Sequence, residues 1–337
     1  MRRDFVIGTE WLYYKIYCGY GTADRLLVEI IGPLSKAMKA TGVVDNWFFI
    51  RYADPNPHIR WRLHFVDLSN LGNVELNIAK SLEPYLDAKL VNKIQIDTYM
   101  REMERYGEST MELCEQLFGF DSEMTTSMLA IIETLPDKEL YRWLFSLKAI
   151  DGMLEGFDYD MKSKHILLKA MADDFGKEFA ITEPVIQQFS DKYRKYKNQI
   201  LQFVQNKDEK ANMLYLLIED NKKKAFDLTK SFQRKCPSRQ RLDEIVRSLI
   251  HMTMNRIFVA QQRKHEVVLY GFLERYYRSE MAKEKYCKKD APMKNKFPFT
   301  HQHDAMDCGP ACIQMVAAHY GRHYTLETRS RGNPTRS

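Results

Sequence analysis

Three groups of residues in this chain have the types and spacing to do chemistry. The first is His58-Ile-Arg-Trp-Arg-Leu-His64, where polar and apolar residues alternate. On a strand, alternate side chains share a face. His58, Arg60, Arg62 and His64 then lie on one side, and Ile59, Trp61, Leu63 and Phe65 on the other. Two arginines at i and i+2 form a fixed pair of planar donors, suited to bidentate binding of carboxylate or phosphate. The same pattern also fits a plain solvated sheet face. The second group is Tyr99-Met-Arg-Glu-Met-Glu-Arg-Tyr-Gly107. If it turns helical, Glu102 and Arg105 are i,i+3 neighbours and Arg101 and Arg105 are i,i+4 neighbours. It supplies further cations for an anionic group, or a surface ion-pair ladder worth roughly a few tenths of a kcal/mol. The third is the segment Arg239–Arg263, whose apolar positions sweep an arc of roughly 200° on a helical wheel. His251 falls in the remaining polar strip with Glu244, Arg247 and Asn255. A helix this apolar is largely buried, so its strip faces solvent or a polar cavity. Histidine there is the usual general acid or base near neutral pH.

Together these groups predict a pocket for a small anionic group with acid–base chemistry beside it. The rest of the body narrows the options. It holds no nucleophile motif and no phosphate-binding glycine loop. The six cysteines, at 18, 114, 236, 287, 308 and 312, show no metal-ligand spacing. No metal or cofactor is expected. A β-elimination or isomerisation needs only carboxylate clamps and a base, so this inventory still permits an enzyme.

The elements that must position these residues come in two blocks. Trp11–Cys18 reads as a strand, and Thr22–Thr41 as a helix with Gly42 as C-cap. Trp47–Tyr52 and His58–Val66 read as strands around the turn Asp54-Pro-Asn-Pro57. Val74–Glu83 reads as a helix that Pro84 ends or kinks, and Lys93–Tyr99 as a fourth strand. This β-α-β-β-α-β order is the ferredoxin-like arrangement. After Gly107 helical spacing takes over, near 108–119, 122–134, 138–155, 159–174, 182–205, 208–233, 239–263 and 265–284, with Thr182 and Asp208 as N-caps. The expected class is α+β: a ferredoxin-like half over 1–107 and a helical half of the same domain over 108–284. A basic linker over 285–296 and a compositionally different tail over 297–337 follow.

Charge adds one exclusion. The net charge of the 337 residues is +6. Of this, +5 lies in the last sixty residues, so the body is nearly neutral. A broad nucleic-acid-binding surface on the body, and with it DNA binding, is not supported. No apolar run approaches the ~18 residues of a membrane span, and the start has no secretory signal. Reduced thiols in a cytoplasm are the expected setting.

Five segments occur in order: Tyr14-Lys-Ile-Tyr-Cys-Gly19, Asn46-Trp-Phe-Phe-Ile-Arg-Tyr52, Pro57-His-Ile-Arg-Trp-Arg62, Tyr99–Gly107 and His251-Met-Thr-Met-Asn-Arg256. Together, over roughly residues 8–285, they resemble the thiopeptide-type bacteriocin biosynthesis domain, the C-terminal elimination domain of class I lantibiotic dehydratases. In that family, Ser or Thr of a ribosomal precursor peptide is first glutamylated from glutamyl-tRNA. The elimination domain then expels glutamate, leaving dehydroalanine or dehydrobutyrine. The resemblance implies that Arg60 and Arg62 match the family's strand pair, Glu102 and Arg105 its second pair, and His251 its histidine. Arg62 and Arg105 would hold the carboxylates of the leaving group, with Arg60, Arg101, Glu102 and Asn255 around the substrate. His251 would move a proton, as base at Cα or as acid to the leaving carboxylate, and Asn255 could orient it. The glutamylation region is absent from the start of the chain, so a separate glutamylating subunit is expected as partner, with a homodimer left open.

The tail carries a second resemblance. Gln302-His-Asp-Ala-Met-Asp-Cys-Gly-Pro-Ala-Cys312 looks like the active-site start of bacteriocin-processing C39 cysteine peptidases. That implies Cys308 as nucleophile and Gln302 at the oxyanion hole. A helix over 309–320 would place Cys308 at its N-terminus, where the macrodipole lowers a thiol pKa. A triad needs His and Asp from elsewhere in a fold, and only 29 residues follow Cys308. The tail is therefore read as vestigial. Two alternatives to elimination stay open: a related pyridine-forming or ligase-associated domain, and a non-catalytic scaffold that binds the precursor.

Overall fold

The computed structural model describes residues 1–180, 182–289, 315–318 and 322. Residues 1–279 form one compact unit and 280–337 a second. The architecture is α+β. A four-stranded antiparallel sheet is built from β2 (Trp11–Cys18), β3 (Val44–Ala53), β4 (Pro57–Phe65) and β5 (Val91–Ile96), in the order β3-β4-β2-β5. That is the strand order of a ferredoxin-like sheet. Two short strands, β1 (Asp4–Phe5) and β6 (Tyr99–Met100), pair separately, and the sequence pattern did not reveal them. Two residues are too few for an alternation to register.

The first crossover is one helical run in three pieces: α1 (Tyr20–Leu26), a π-helical turn (Leu27–Ile31) and α2 (Gly32–Ala40). Gly42, at φ +73°, ends it as expected, with its N–H on the Lys39 carbonyl. The second crossover, α3 (Leu71–Asp87), runs through Pro84 instead of stopping there. The proline lies in the last turn, where its missing N–H costs a single bond before the helix ends anyway. Ile59, Trp61, Leu63 and Phe65 are buried as the alternation required. His58 and Arg62 are buried as well, so the basic face is not the solvated face a single-sided sheet would present.

Helices follow: α4 (Met103–Tyr106), α5 (Met111–Ile132), α6 (Lys138–Gly156), α7 (Met161–Glu178), α8 (Glu183–Val204), α9 (Asn212–Lys235), α10 (Arg239–Ile257) and α11 (Gln262–Lys289). Two expected helices, 108–119 and 122–134, are the single α5. The expected helix 239–263 stops at Ile257, because Phe258 is extended and Gln261 sits at φ +52° before α11 begins. Thr182 takes the N-cap position of α8, but without a side-chain bond, while Asp208 caps a short turn by accepting from Lys210 N–H.

The helices do not simply cover the sheet. α5 and α10 lie along the outer edge of β3. Phe49 N–H donates to Ser122 Oγ at 3.2 Å, and Arg256 Nε donates to the Phe49 carbonyl at 2.9 Å. Asn255 meets Arg51 twice, accepting its N–H at 2.8 Å and donating to its carbonyl at 2.9 Å. Asn46 donates to the Glu115 carbonyl at 2.8 Å, and the approach there is so close that a Cβ on Gly119 would fall 2.0 Å from Asn46 Oδ1. Arg256, fully buried, also pairs with buried Asp121 at 2.9 Å. Removing one member of a buried pair strands the other charge. Arg256→Leu is expected to lower unfolding free energy by about 3–5 kcal/mol, read from urea midpoints. The double variant Asp121→Leu/Arg256→Leu should lose clearly less than the two single losses combined.

Candidate active site

The strand arginines and His251 lie on two surfaces, the sheet face of β4 and the polar strip of α10. His251 is partly exposed on that strip, and its Nδ1 lies 2.9 Å from Glu266 Oε1 and 3.2 Å from Oε2. Glu266, one turn into α11, is fully buried. Gln262 donates from Nε2 to Glu266 Oε1 at 2.5 Å and to the His251 carbonyl at 2.9 Å. Asn255 donates to Gln262 Oε1 at 2.9 Å. Asn255 was expected as a residue that could orient His251. It spends its amide on Arg51 and reaches the histidine only through Gln262. Glu266 and Gln262 were missed in the sequence, because they belong to the next helix and nothing in their spacing links them to His251.

His251 opens on a pocket of about 320 Å³ at the end of the sheet. Its walls include Cys18, Tyr52 and His58 from the strands, Asn255 from α10, Phe258 just after it and Gln262 from α11. Burial pushes the Cys18 thiol up to about 11, so it offers no thiolate at neutral pH. His58 Nδ1 faces the Asn56 carbonyl at 2.8 Å, and its Nε2 accepts from Arg60 Nε at 3.1 Å. A carbonyl only accepts, so Nδ1 carries the proton and the ring is neutral.

The two strand arginines differ in setting. Arg60 stacks on Tyr52 at 3.5 Å and is half-exposed. Arg62 is buried among three rings: Tyr13 at 4.5 Å, Tyr99 at 4.7 Å and Phe48 at 5.1 Å. The antiparallel register explains this cage, since Tyr13 and Phe48 are the direct cross-strand partners of Arg62. Its Nε has no hydrogen-bond partner, and among the described residues no carboxylate forms an ion pair with Arg60 or Arg62. Arg105 forms the expected pair with Glu102, at 3.5 Å, and its carbonyl receives Arg241 Nη2 at 3.0 Å from α10. Arg101 departs from the expected substrate role. It is buried, bidentate on Glu115 at 2.8 and 2.7 Å, with Nη1 on the Arg2 carbonyl at 3.0 Å. With those donors committed, it ties the β1–β6 pair to α5. Tyr99 shares the tie through its hydroxyl on Glu115 at 2.7 Å, which links the Arg62 cage to the same carboxylate. Cys308 and Gln302 lie outside the described residues. Among the described residues no group of acidic, His and Cys side chains could hold a metal ion, and no helix is long and apolar enough to cross a membrane.

Of the residues expected at the site, His251 and Asn255 line the pocket at the end of the sheet, whereas Arg60, Arg62, Arg101, Glu102 and Arg105 are not among its walls. The chain belongs to the lantibiotic biosynthesis dehydratase C-terminal family, whose model matches residues 11–277. A Peptidase C39 family model matches residues 296–331. Among curated relatives, subtilin biosynthesis protein SpaB of Bacillus subtilis is 27% identical over 272 residues, covering 77% of this chain and 25% of SpaB. Nisin biosynthesis protein NisB of Lactococcus lactis subsp. lactis is 33% identical over 133 residues, covering 39% of this chain and 13% of NisB. The chain therefore spans a quarter or less of these relatives' length. The fold is also that of the tRNA-dependent lantibiotic dehydratase MibB from Microbispora sp. 107891, with TM-score 0.68 and 17% identity over 83% of this chain and 29% of MibB. Pyridine synthase TbtD from thiomuracin biosynthesis shares it at TM-score 0.57 and 10% identity, over 80% of this chain and all of TbtD.

The His58 environment has a consequence for stability. Burial, helped by Arg60 and Lys15, holds this histidine below its ordinary value, against the opposing Asn56 bond. The unfolded chain therefore takes up the proton first as pH falls through ~6.5. The contribution of His58 is intact above that pH and is lost progressively below it. Urea midpoints should fall between pH 8 and pH 5.5, and fall less in His58→Gln. An equal drop in the variant would place the effect elsewhere.

Proposed function

We propose that this domain expels glutamate from glutamylated Ser or Thr of a precursor peptide, leaving dehydroalanine or dehydrobutyrine. The observation that carries the reading is Arg62, a buried guanidinium with an unpaired Nε and no carboxylate partner. A cation caged by ring faces is ready for an anion that is absent until substrate arrives. Membership of the lantibiotic dehydratase C-terminal family supports a dehydratase-related role for the domain.

In the proposed step the proton leaves Cα of the modified residue, and its electron pair forms the Cα=Cβ bond. The Cβ–O ester bond breaks and the electrons depart on the glutamate carboxylate. His251 handles the proton, and Arg62 and Arg105 stabilise charge on the leaving group as it develops. Arg60, held by His58 and Tyr52, faces the same side and guides the substrate. No cofactor is needed for this chemistry. The glutamyl ester reaches the site already made, by a glutamyl-tRNA-dependent step carried out elsewhere, which places the work in the cytoplasm.

The pyridine-forming alternative shares the fold, but it does not account for the retained arginine, glutamate and histidine set. The test is direct. Incubated with a pre-glutamylated precursor peptide, the protein should release glutamate, seen as mass loss. Arg62→Lys and His251→Asn should each slow release on the order of 10²-fold or more, the usual cost of deleting an electrostatic or proton-transfer group. No release under any condition, with equal binding of modified and unmodified peptide, would favour a scaffold instead.

A further inference from the structure

Glu266 is a fully buried carboxylate beside His251. A carboxylate removed from water needs a cation or several donors. Among the described residues no Lys or Arg pairs with it. Arg247 and Arg263, the neighbouring cations on α10 and α11, turn outward to Asp174 and Glu178. What Glu266 does have is His251 Nδ1 at 2.9 Å, Gln262 Nε2 at 2.5 Å and, beside it, the buried Tyr270 phenol, whose pKa is raised by burial first and by this carboxylate next.

The proton positions around His251 follow from the backbone of β3. Arg51 N–H can only donate and its carbonyl can only accept, which fixes the Asn255 amide with Oδ1 toward the N–H and Nδ2 toward the carbonyl. Asn255 Nδ2 donates to Gln262 Oε1, which fixes Gln262 in turn. The two Gln262 protons then go to Glu266 Oε1 and to the His251 carbonyl. Gln262 Nε2 also lies 3.2 Å from His251 Nδ1, but it has no proton left for it. Nδ1 faces an acceptor-only carboxylate and receives no donor, so it must carry the proton itself. Nε2, which has no partner among the described residues, is left with its lone pair where His251 lines the pocket.

We propose that Glu266 is the positioning residue that fixes His251 as the Nδ1–H tautomer, making Nε2 the base for the Cα proton. The catalytic half rests on the elimination reading, and the tautomeric half on geometry alone. In the reaction, Nε2 takes the Cα proton, the Cβ–O bond breaks as above, and Glu266 stabilises the imidazolium that forms. The proton then leaves to solvent.

Histidine-selective ¹⁵N labelling of the full chain tests this, with the His251 signals assigned by their loss in His251→Asn. At a pH where the ring is neutral, the wild type should show a protonated Nδ1 and a bare Nε2. Glu266→Gln can donate or accept, so both tautomers should appear. Its kcat on glutamylated peptide should fall on the order of 10²-fold or more, as when a buried triad carboxylate is neutralised, with KM little changed. Glu266→Asp, which keeps the charge, should recover part of that loss. A wild-type proton on Nε2, or wild-type signals and kcat in Glu266→Gln, would overturn the proposal. If the wild type releases no glutamate at all, the elimination reading falls with the base role, and the ¹⁵N pattern alone still decides what Glu266 does.

Discussion

The rest of the structure depends on how the open edge of β3 is hydrogen-bonded. An edge strand presents a row of unpaired N–H and C=O groups that must find partners or water. Here α5 and α10 supply them from side chains. Phe49 and Arg51, two residues apart and so on the same edge, are met by Ser122, Arg256 and Asn255. Because the contacts alternate with the strand repeat, α10 is held in one register against the sheet. A shift by one residue would leave each donor facing nothing. His251 lies one turn before Asn255, so this register also fixes where the histidine sits.

Charges close the same arrangement from the other side. The C-terminus of α10 ends in carbonyls with no helical partner and a partial negative charge. Arg51 Nε donates to the Arg256 carbonyl at 2.8 Å, and Arg142 Nη1 to the Ile257 carbonyl at 2.9 Å. Asp24 on α1 bridges both arginines, at 2.5 and 2.7 Å. Burial alone would drive Arg51 toward losing its proton, and the Asp24 carboxylate opposes this. Sheet, first crossover and α6 thus converge on the end of one helix. The chain turns there at Gln261 and delivers Gln262 and Glu266 to His251.

The strands and the amphipathic α10 were legible because each buries a face at its own period, and that period survives in sequence. What was not legible is what happens across elements. Arg60 and Arg62 look equivalent at i and i+2, yet one lies under an exposed tyrosine and the other in a buried cage. The difference is made by cross-strand neighbours and Tyr99, none of which the strand's own sequence contains. Arg101 and Arg105 look interchangeable for the same reason, and only the position of Glu115 on α5 separates them. The single helix α5 was read as two because its girth is buried so widely that it carries no narrow stripe to follow. Its buried positions include Glu115 and Asp121, whose partners come from other elements.

This division bears on how such a site works. The groups that touch one another most tightly, the Asn255–Gln262–Glu266 chain and the Arg101–Glu115 tie, are polar and half-buried or buried, and backbone groups set the hydrogen-bond directions of the first. Half-satisfied networks cost stability, whereas satisfied ones hold geometry. Among the groups left without a hydrogen-bond partner in the described residues are the Nε of Arg62 and the Nε2 of His251, alongside Arg51 Nη1, Asp121 Oδ1 and Arg256 Nη2 around the α10–β3 contact. Of the first two, Arg62 Nε is a donor without an acceptor, and His251 Nε2 an acceptor without a donor. In the proposed elimination these are the two demands of the transition state, negative charge on the leaving carboxylate and a proton coming off Cα. In that proposal the polar pairs around Arg62 and His251 fix their neighbours, and the two atoms themselves meet the substrate.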